Sequence, residues 1–244
     1  MSSARHRFWP FFDLVIHTPR LTLRYPDDDR AAELMHLAAT VGIHDPAYMP
    51  FAVPWTRFEP PFLQQQGMQH CWRTRADLTP ESWDLPFAVY DGGELVGLQA
   101  LGSKSFLVTR SVGTGSWLMS TAQGRGVGKE MRAAVLHLAF NELDAERAVT
   151  SAWADNAQSL GVTRALGYAG NGHDLEDREG RPVGHLRFIL ERSSWEARRR
   201  GDIDVENVEP ASSRSAWRSH PADPPRGLHG ATFRPRSKIT SAVR

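Results

Sequence analysis

The sequence holds a single cysteine, Cys71, in 244 residues. That excludes an internal disulfide framework and fits a reducing compartment. Long hydrophobic runs are missing as well: no stretch approaches the ~20 apolar residues of a membrane span. Nor is either sign of charge in excess, since 29 Lys and Arg stand against 28 Asp and Glu, a formal net charge of +1. No global field therefore argues for nucleic acid or an acidic membrane as partner. Residues 1–14 contain Arg5 and Arg7 but only a short aromatic run, broken by Pro10 and Asp13, which makes a poor signal peptide. A soluble cytoplasmic protein is expected. The 41% hydrophobic content is enough for one sizeable core, and the length suits one large domain or two small ones.

Glycine, by contrast, is concentrated where it carries meaning. From Ser116 to Tyr168 the pattern reads as strand, glycine turn, helix, strand, helix. Ser116-Trp117-Leu118-Met119 ends the first strand, and Gln123-Gly124-Arg125-Gly126-Val127-Gly128 leads into a periodic apolar run from Lys129 to Leu143. Three glycines at alternate positions before a helix let the backbone approach a large anion closely. The first amides of that helix have no intrahelical partner, and the helix dipole adds partial positive charge. Together they form a phosphate cradle. A Walker A loop would need glycine where Gln123 stands and Ser or Thr where Glu130 stands; a dinucleotide fingerprint would need a third glycine at Lys129. Both readings fail.

What remains, Gln-x-x-Gly-x-Gly at Gln123, Gly126 and Gly128, resembles the pyrophosphate loop of the GNAT family of acyl-CoA-dependent N-acetyltransferases. Asn156, Ser159, Val162, Arg164, Gly167 and Tyr168 match, without gaps, a second pattern of that family. Ala165 departs from it where a second basic residue is frequent, which leaves Arg164 as the contact to the 3′-phosphate of CoA. The Trp117-Leu118 step and the Glu130 and Phe140 positions resemble the branch with the ribosomal-protein N-terminal acetyltransferases. His44 to Thr56, taken with Gly115-Ser116-Trp117-Leu118, is similar to a subgroup of succinyl-CoA transferases. The resemblance covers roughly residues 18 to 192. It implies an α/β (α+β) fold with a mixed, mostly antiparallel, splayed sheet flanked by helices. The domain would span 18–200, after an N-terminal extension 1–17 and before a disordered basic tail 201–244.

The rest of the chain fits that outline. Arg20 to Tyr25 alternates as a first strand. Asp27-Asp28-Asp29 caps a helix to about Val41. His44 to Phe62 is an irregular aromatic segment with five prolines, which preclude a regular helix. A second helix is expected from Phe62 to Ala76. Strands at Leu85–Tyr90 and Glu94–Leu101 flank the hairpin turn Asp91-Gly92-Gly93, and a third runs from Ser111 to Leu118. Ala148–Trp153 reads as a buried central strand, and Ala157–Leu166 as a helix ended by Gly167. Two last strands, around Tyr168 and at Val183–Leu190, flank Glu179-Gly180. From Ala211 on, seven basic residues face only Asp223; no aromatic-basic repeat supports a nucleic-acid platform there.

The resemblance implies acetyl-CoA or another acyl-CoA, succinyl-CoA among them, as co-substrate, with no metal. The expected CoA-binding residues are Trp117, Leu118, Met119, Gln123, Gly124, Arg125, Gly126, Val127, Gly128, Lys129, Asn156, Ser159 and Arg164. Backbone amides at the end of the strand before the loop would stabilise the oxyanion of the tetrahedral intermediate. Ser159, where the resemblance implies a hydroxyl near the CoA sulfur, is the candidate catalytic acid or hydrogen-bond donor. Asp155, Glu94, Asp84 and His173 are candidate bases by position alone, with a water chain as the alternative. A succinyl carboxylate would look to Arg57, Arg110 or His44. The acceptor is an amine on a protein N-terminus, a lysine or a small molecule, and a homo-oligomer is left open. A non-catalytic acyl-CoA sensor and a ribosome-associated binding module are the competing classes.

Overall fold

The computed structural model describes residues 6–208. Nine strands form one sheet in the order β7-β8-β6-β5-β4-β3-β2-β1-β9. These are β1 (Val15–His17), β2 (Leu21–Arg24), β3 (Trp83–Asp91), β4 (Glu94–Ser103), β5 (Ser111–Leu118), β6 (Arg147–Trp153), β7 (Ala169–Arg178), β8 (Arg181–Glu191) and β9 (Asp204–Glu206). Every pairing is antiparallel except β5 with β6.

Helices α1 (Asp28–Thr40) and α2 (Phe62–Ala76) cover one face; α4 (Val127–His137) and α5 (Ala157–Ala165) cover the other, with short α3 (Phe106–Thr109) and α6 (Arg192–Glu196) at the periphery. Side-chain alternation along each strand divides the core accordingly. Phe87, Val89 and Leu118 pack with α4, whereas Ala88 and Trp117 pack with α1 and α2. The α1 stripe is Ala31, Leu34, Met35 and Ala38, at helical spacing. Asp27 caps it by accepting from the Arg30 amide at 2.9 Å, while Asp28 reaches α2 and pairs with Arg75. Helix α2 lies close against α1 because Gly67 has no side chain: a Cβ there would stand 1.8 Å from the Met35 sulfur. Helix α4 continues into a π-helical turn at Leu138–Glu142, which carries Phe140 onto the Trp195 ring.

Two of the expected domain limits move. The extension drawn at 1–17 contains β1, whose Ile16 is fully buried and pairs with Leu23. The tail drawn from 201 begins too early. Strand β9 pairs with β1, buries Ile203 beside it, and is tied by Asn207 Nδ2 donating to the Asp13 carbonyl at 2.9 Å. These strands are three residues long, too short to display a period, and β1 needs a partner on its outer edge. The basic stretch expected to be disordered lies, from 209 on, outside the described residues. The connection before β5 contains α3 with Phe106 packed on Trp83.

Candidate active site

The one parallel pair in the sheet is stitched for only three residue pairs, Ser111↔Arg147, Val112↔Ala148 and Gly113↔Val149. Strand β5 then continues to Leu118 against β4, and β6 to Trp153 against β8. The two part company, and a cavity of about 850 Å³ opens between them. Its walls start where pairing stops: Thr114 to Leu118 on one side, Thr150 to Trp153 on the other. Met119 donates its amide to Val96 of β4 at 2.9 Å. Because hydrogen-bonding direction alternates along a strand, the amides of Leu118 and Ser116 point the other way, into the opening.

At the wide end lies the glycine turn. Gln123 pins it, with both hydrogens of its Nε2 committed to carbonyls: Ile43 at 2.7 Å and Leu118 at 2.9 Å. Gly124 and Gly126 follow with φ of +73° and +83°, a region that side chains disfavour, and Gly126 caps α4. The Arg125 carbonyl is held from behind by Arg20 Nη1 at 3.1 Å. Arg20 in turn pairs with Glu130, which accepts from Thr18 Oγ1 at 2.6 Å. With the carbonyl side anchored, the amides face outward. Among the described residues, the amides of 124 to 129 donate to no protein acceptor. Lys129 stands beside them on the cavity wall.

The opposite wall is the start of α5. Asn156 caps it, its Oδ1 accepting from the Ser159 amide at 3.0 Å, which leaves the Asn156 amide group on the cavity. Ser159 is half-buried and lines the cavity too. Trp117, Leu118, Gln123, Gly124, Gly126, Gly128, Lys129, Asn156 and Ser159 are thus brought together around one opening. The side chains of four other expected residues stay off that opening. Val127 and Met119 are buried in the core. The exposed side chain of Arg125 leans toward Asp91 at 3.8 Å. Arg164 is exposed and off the wall, since it lies two residues, about 200° of helix, past the cavity-facing Val162.

The face toward α1 and α2 is closed by two elements far apart in sequence. Arg178 and Glu179, at the tip of the β7–β8 hairpin, meet the aromatic segment 44–57. Arg178 clasps Asp155 at 2.8 and 2.6 Å and lies over the rings of Tyr48 and Trp153; the Tyr48 hydroxyl donates to Asp155 at 3.0 Å. The Arg178 guanidinium holds the Asp155 carboxyl below its ordinary range, and burial beside that carboxylate raises the Tyr48 phenol to about 12. Arg57 forms a two-point pair with Glu179 at 2.7 and 2.9 Å. His44 lines the cavity with Nε2 2.7 Å from the Thr56 hydroxyl.

These contacts revise the candidate bases and cations. Asp155 lines the cavity, but as a clasped, weakly basic carboxylate. Glu94 sits in the β3–β4 hairpin, and His173 is exposed on β7. Asp84, whose carboxyl burial pushes up, lies near His70 and off the cavity wall. Arg110 pairs with Asp144 at the far end of β5, and Arg57 is already neutralised. A second histidine facing the cavity, besides His44, is His185 of β8, missed in the sequence. It pairs across from Trp153, lies against that ring at 4.7 Å, and its Nδ1 is 2.8 Å from Glu176 Oε1. With Glu176 Oε1 accepting, Nδ1 is the donor in that contact, which fixes the ring so that Nε2 is its other polar edge.

Residues 20–169 match the family model for the acetyltransferase (GNAT) domain. The chain belongs to the GNAT family. Among solved structures it is similar to RimL, a ribosomal-protein α-N-acetyltransferase in complex with coenzyme A, at 17% identity and TM-score 0.62, covering 72% of this chain and 97% of that one. It is also similar to Mycobacterium smegmatis RimJ in complex with a CoA disulfide, at 19% identity and TM-score 0.59, covering 80% and 97%. A third is the spermidine/spermine N-acetyltransferase SpeG from Vibrio cholerae, at 18% identity and TM-score 0.57, covering 73% and 98%. At these identities the neighbours establish the fold. Family membership makes this GNAT protein an N-acyltransferase that draws on acetyl-CoA. No helix among the described residues is long and apolar enough to cross a membrane.

Proposed function

We propose that this GNAT enzyme transfers the acyl group of a CoA thioester to the α-amine of a protein or peptide N-terminus. The observation that carries the reading is the row of unpartnered amides at 124 to 129, opening onto the cleft between β5 and β6. Those amides and Lys129 suit the diphosphate, and the cleft suits the extended arm that follows it. The thioester carbonyl would accept from the inward amides of β5, at Ser116 and Leu118. There they stabilise negative charge as the amine nitrogen adds to the carbonyl carbon. The amine loses its proton to Nε2 of His185, the carbon–sulfur bond breaks, and the sulfur departs as a thiolate that accepts a hydrogen bond from the Ser159 hydroxyl. A thiol of pKa ~8.5 leaves with little acid assistance.

The choice of acceptor rests on proton cost. At pH 7 the neutral form of a lysine amine lies roughly 4.6 kcal/mol uphill, that of an α-amine only about 1 kcal/mol. A cleft in which Asp155 is clasped by Arg178, Asp45 accepts from the Ala47 amide, and the base is an imidazole fits the second. The α-N-protein acetyltransferase activity named for RimL points the same way. Acetyl-CoA is the donor that family membership supports; a succinyl donor would require a cation at the acyl end of the cleft. The test is a thiol-release assay with acetyl-CoA across three acceptors: peptides with free N-termini, N-terminally blocked peptides containing lysine, and spermidine. Release is expected with the free N-termini. Equal release with blocked peptides, or release with spermidine alone, would refute the α-amine reading.

A further inference from the structure

The aromatic segment that closes the cleft has an inner and an outer side. Its inner rings are used. Phe51 lies 5.4 Å from Trp55, and Trp55 6.1 Å from Trp117, so both pack against the core cluster of α1 and α2 that holds Trp117. The outer side chains stand in water. Val53 is 70% exposed, Phe58 41%, and Phe62, the first residue of α2, 47%. The rings of Phe58 and Phe62 meet edge to face at 4.9 Å, a contact that fixes two rings and leaves their outer faces bare. A single exposed apolar side chain needs no explanation, but a row of them beside an opening marks an interaction surface.

This row is continuous with the cavity rim at both ends. Ala52, the residue before Val53, is on the cavity wall with Pro50 and Phe51. From Val53 to Phe58 the backbone coils into one turn: the amides of Trp55, Arg57 and Phe58 donate to the carbonyls of Val53, Pro54 and Trp55 at 2.9, 3.0 and 3.5 Å. Arg57, at the end of that turn, grips Glu179, whose neighbour Arg178 holds the cavity-lining Asp155. Val53, Phe58 and Phe62 therefore form an apolar ledge that a two-point ion pair fastens to the cleft mouth.

What covers the ledge follows from what enters beside it. On the proposed reading, the carrier lies along the glycine turn and into the seam between β5 and β6. An acceptor amine must then come from the remaining side, past residues 44–57 and the β7–β8 tip. A polypeptide brings its first residues into the cleft and lays the rest across the rim, advancing about 3.3 Å per residue. A small amine has nothing to lay there.

We infer that Val53, Phe58 and Phe62 dock the acceptor polypeptide downstream of its N-terminus, so that the enzyme selects chains carrying apolar side chains several residues in. The inference rests on the α-amine reading of the cleft. Thiol release from acetyl-CoA by the full chain tests it with three free-N-terminus acceptors: a dipeptide, and two decapeptides that begin with the same two residues. The decapeptides differ only at positions four to eight, leucine-rich in one and serine-rich in the other. The leucine-rich peptide is expected to show a KM roughly tenfold below the other two, with kcat within about twofold. Phe58→Ser together with Phe62→Ser is expected to raise that KM to the serine-rich value and to leave the dipeptide unchanged. Equal KM values for the two decapeptides on the unmodified chain would overturn the inference, whether or not the variant folds, while the α-amine reading would stand. So would a double variant that keeps the preference for leucine. A double variant that keeps the preference but turns a sedimenting dimer into a monomer would assign the ledge to a second copy of the chain, and the inference would fail. If no free-N-terminus peptide releases thiol, the α-amine reading fails and the inference falls with it.

Discussion

Glycines and an asparagine announced the site, but the side chains that face the reacting end did not announce themselves. Gln123, Gly126, Asn156 and Ser159 were legible because their spacing reflects local turn and cap geometry, which lives within a few residues. His185 was not, because its role depends on register. A bulge between Gly170 and His173 shifts β7 against β8, so His185 comes to lie opposite Asp174 on one side and Trp153 on the other. Nothing in the local sequence distinguishes it from the exposed His173. Arg57 and Arg178 show the converse: both are cations near the cleft, and both are already matched, by Glu179 and Asp155. The assignment of His185 is checked by His185→Gln, which keeps a polar side chain of similar size. Turnover should fall roughly 100-fold, the usual contribution of a general base, with the dissociation constant for acetyl-CoA unchanged. Unaltered turnover would return the base to a water chain.

At the scale of elements, the long periodic ones were read closely. Helix α2 was placed at Phe62–Ala76, α5 to within a residue, and β5 at Ser111–Leu118. Each is long enough to display a period or is bounded by turn residues. The short strands β1 and β9 have neither signal, and their pairing is set by the far end of the chain returning to the start. That pairing has a thermal consequence. A chain ending at residue 208 and one ending at 202 differ by Ile203, strand β9 and the Asn207 tie. Burying one Ile is worth roughly 2 kcal/mol, so the shorter chain should melt about 5 °C lower. Scanning calorimetry on the two truncations measures this; identical midpoints would mean β9 adds nothing to the fold.

For the whole molecule, the mixed sheet with helices on both faces was legible because alternation and helical stripes agree on two buried layers. What was not legible is how the layers respond to acid. His137, on α4 against Trp195, is buried, and burial first and Arg199 second lower its pKa. The unfolded chain therefore binds a proton there before the folded one does. Stability is full above the unfolded value of about 6.5 and declines as pH falls from there toward the folded pKa. Urea melts at pH 7.5 and 5.5 should show the native chain losing up to about 1.4 kcal/mol more than His137→Gln, the linkage limit for one group one unit below 6.5. Equal losses would show that the imidazole takes up its proton over the same pH range in the folded and unfolded chains.

The early parting of β5 and β6 has a last implication. A sheet whose neighbours stop exchanging hydrogen bonds after three rungs is an unfinished one, with donors exposed along an interior seam instead of at its rim. An extended, amide-bearing guest would sit in that seam as a borrowed strand. Substrate uptake would then be an act of folding, with the visitor completing the architecture that admits it.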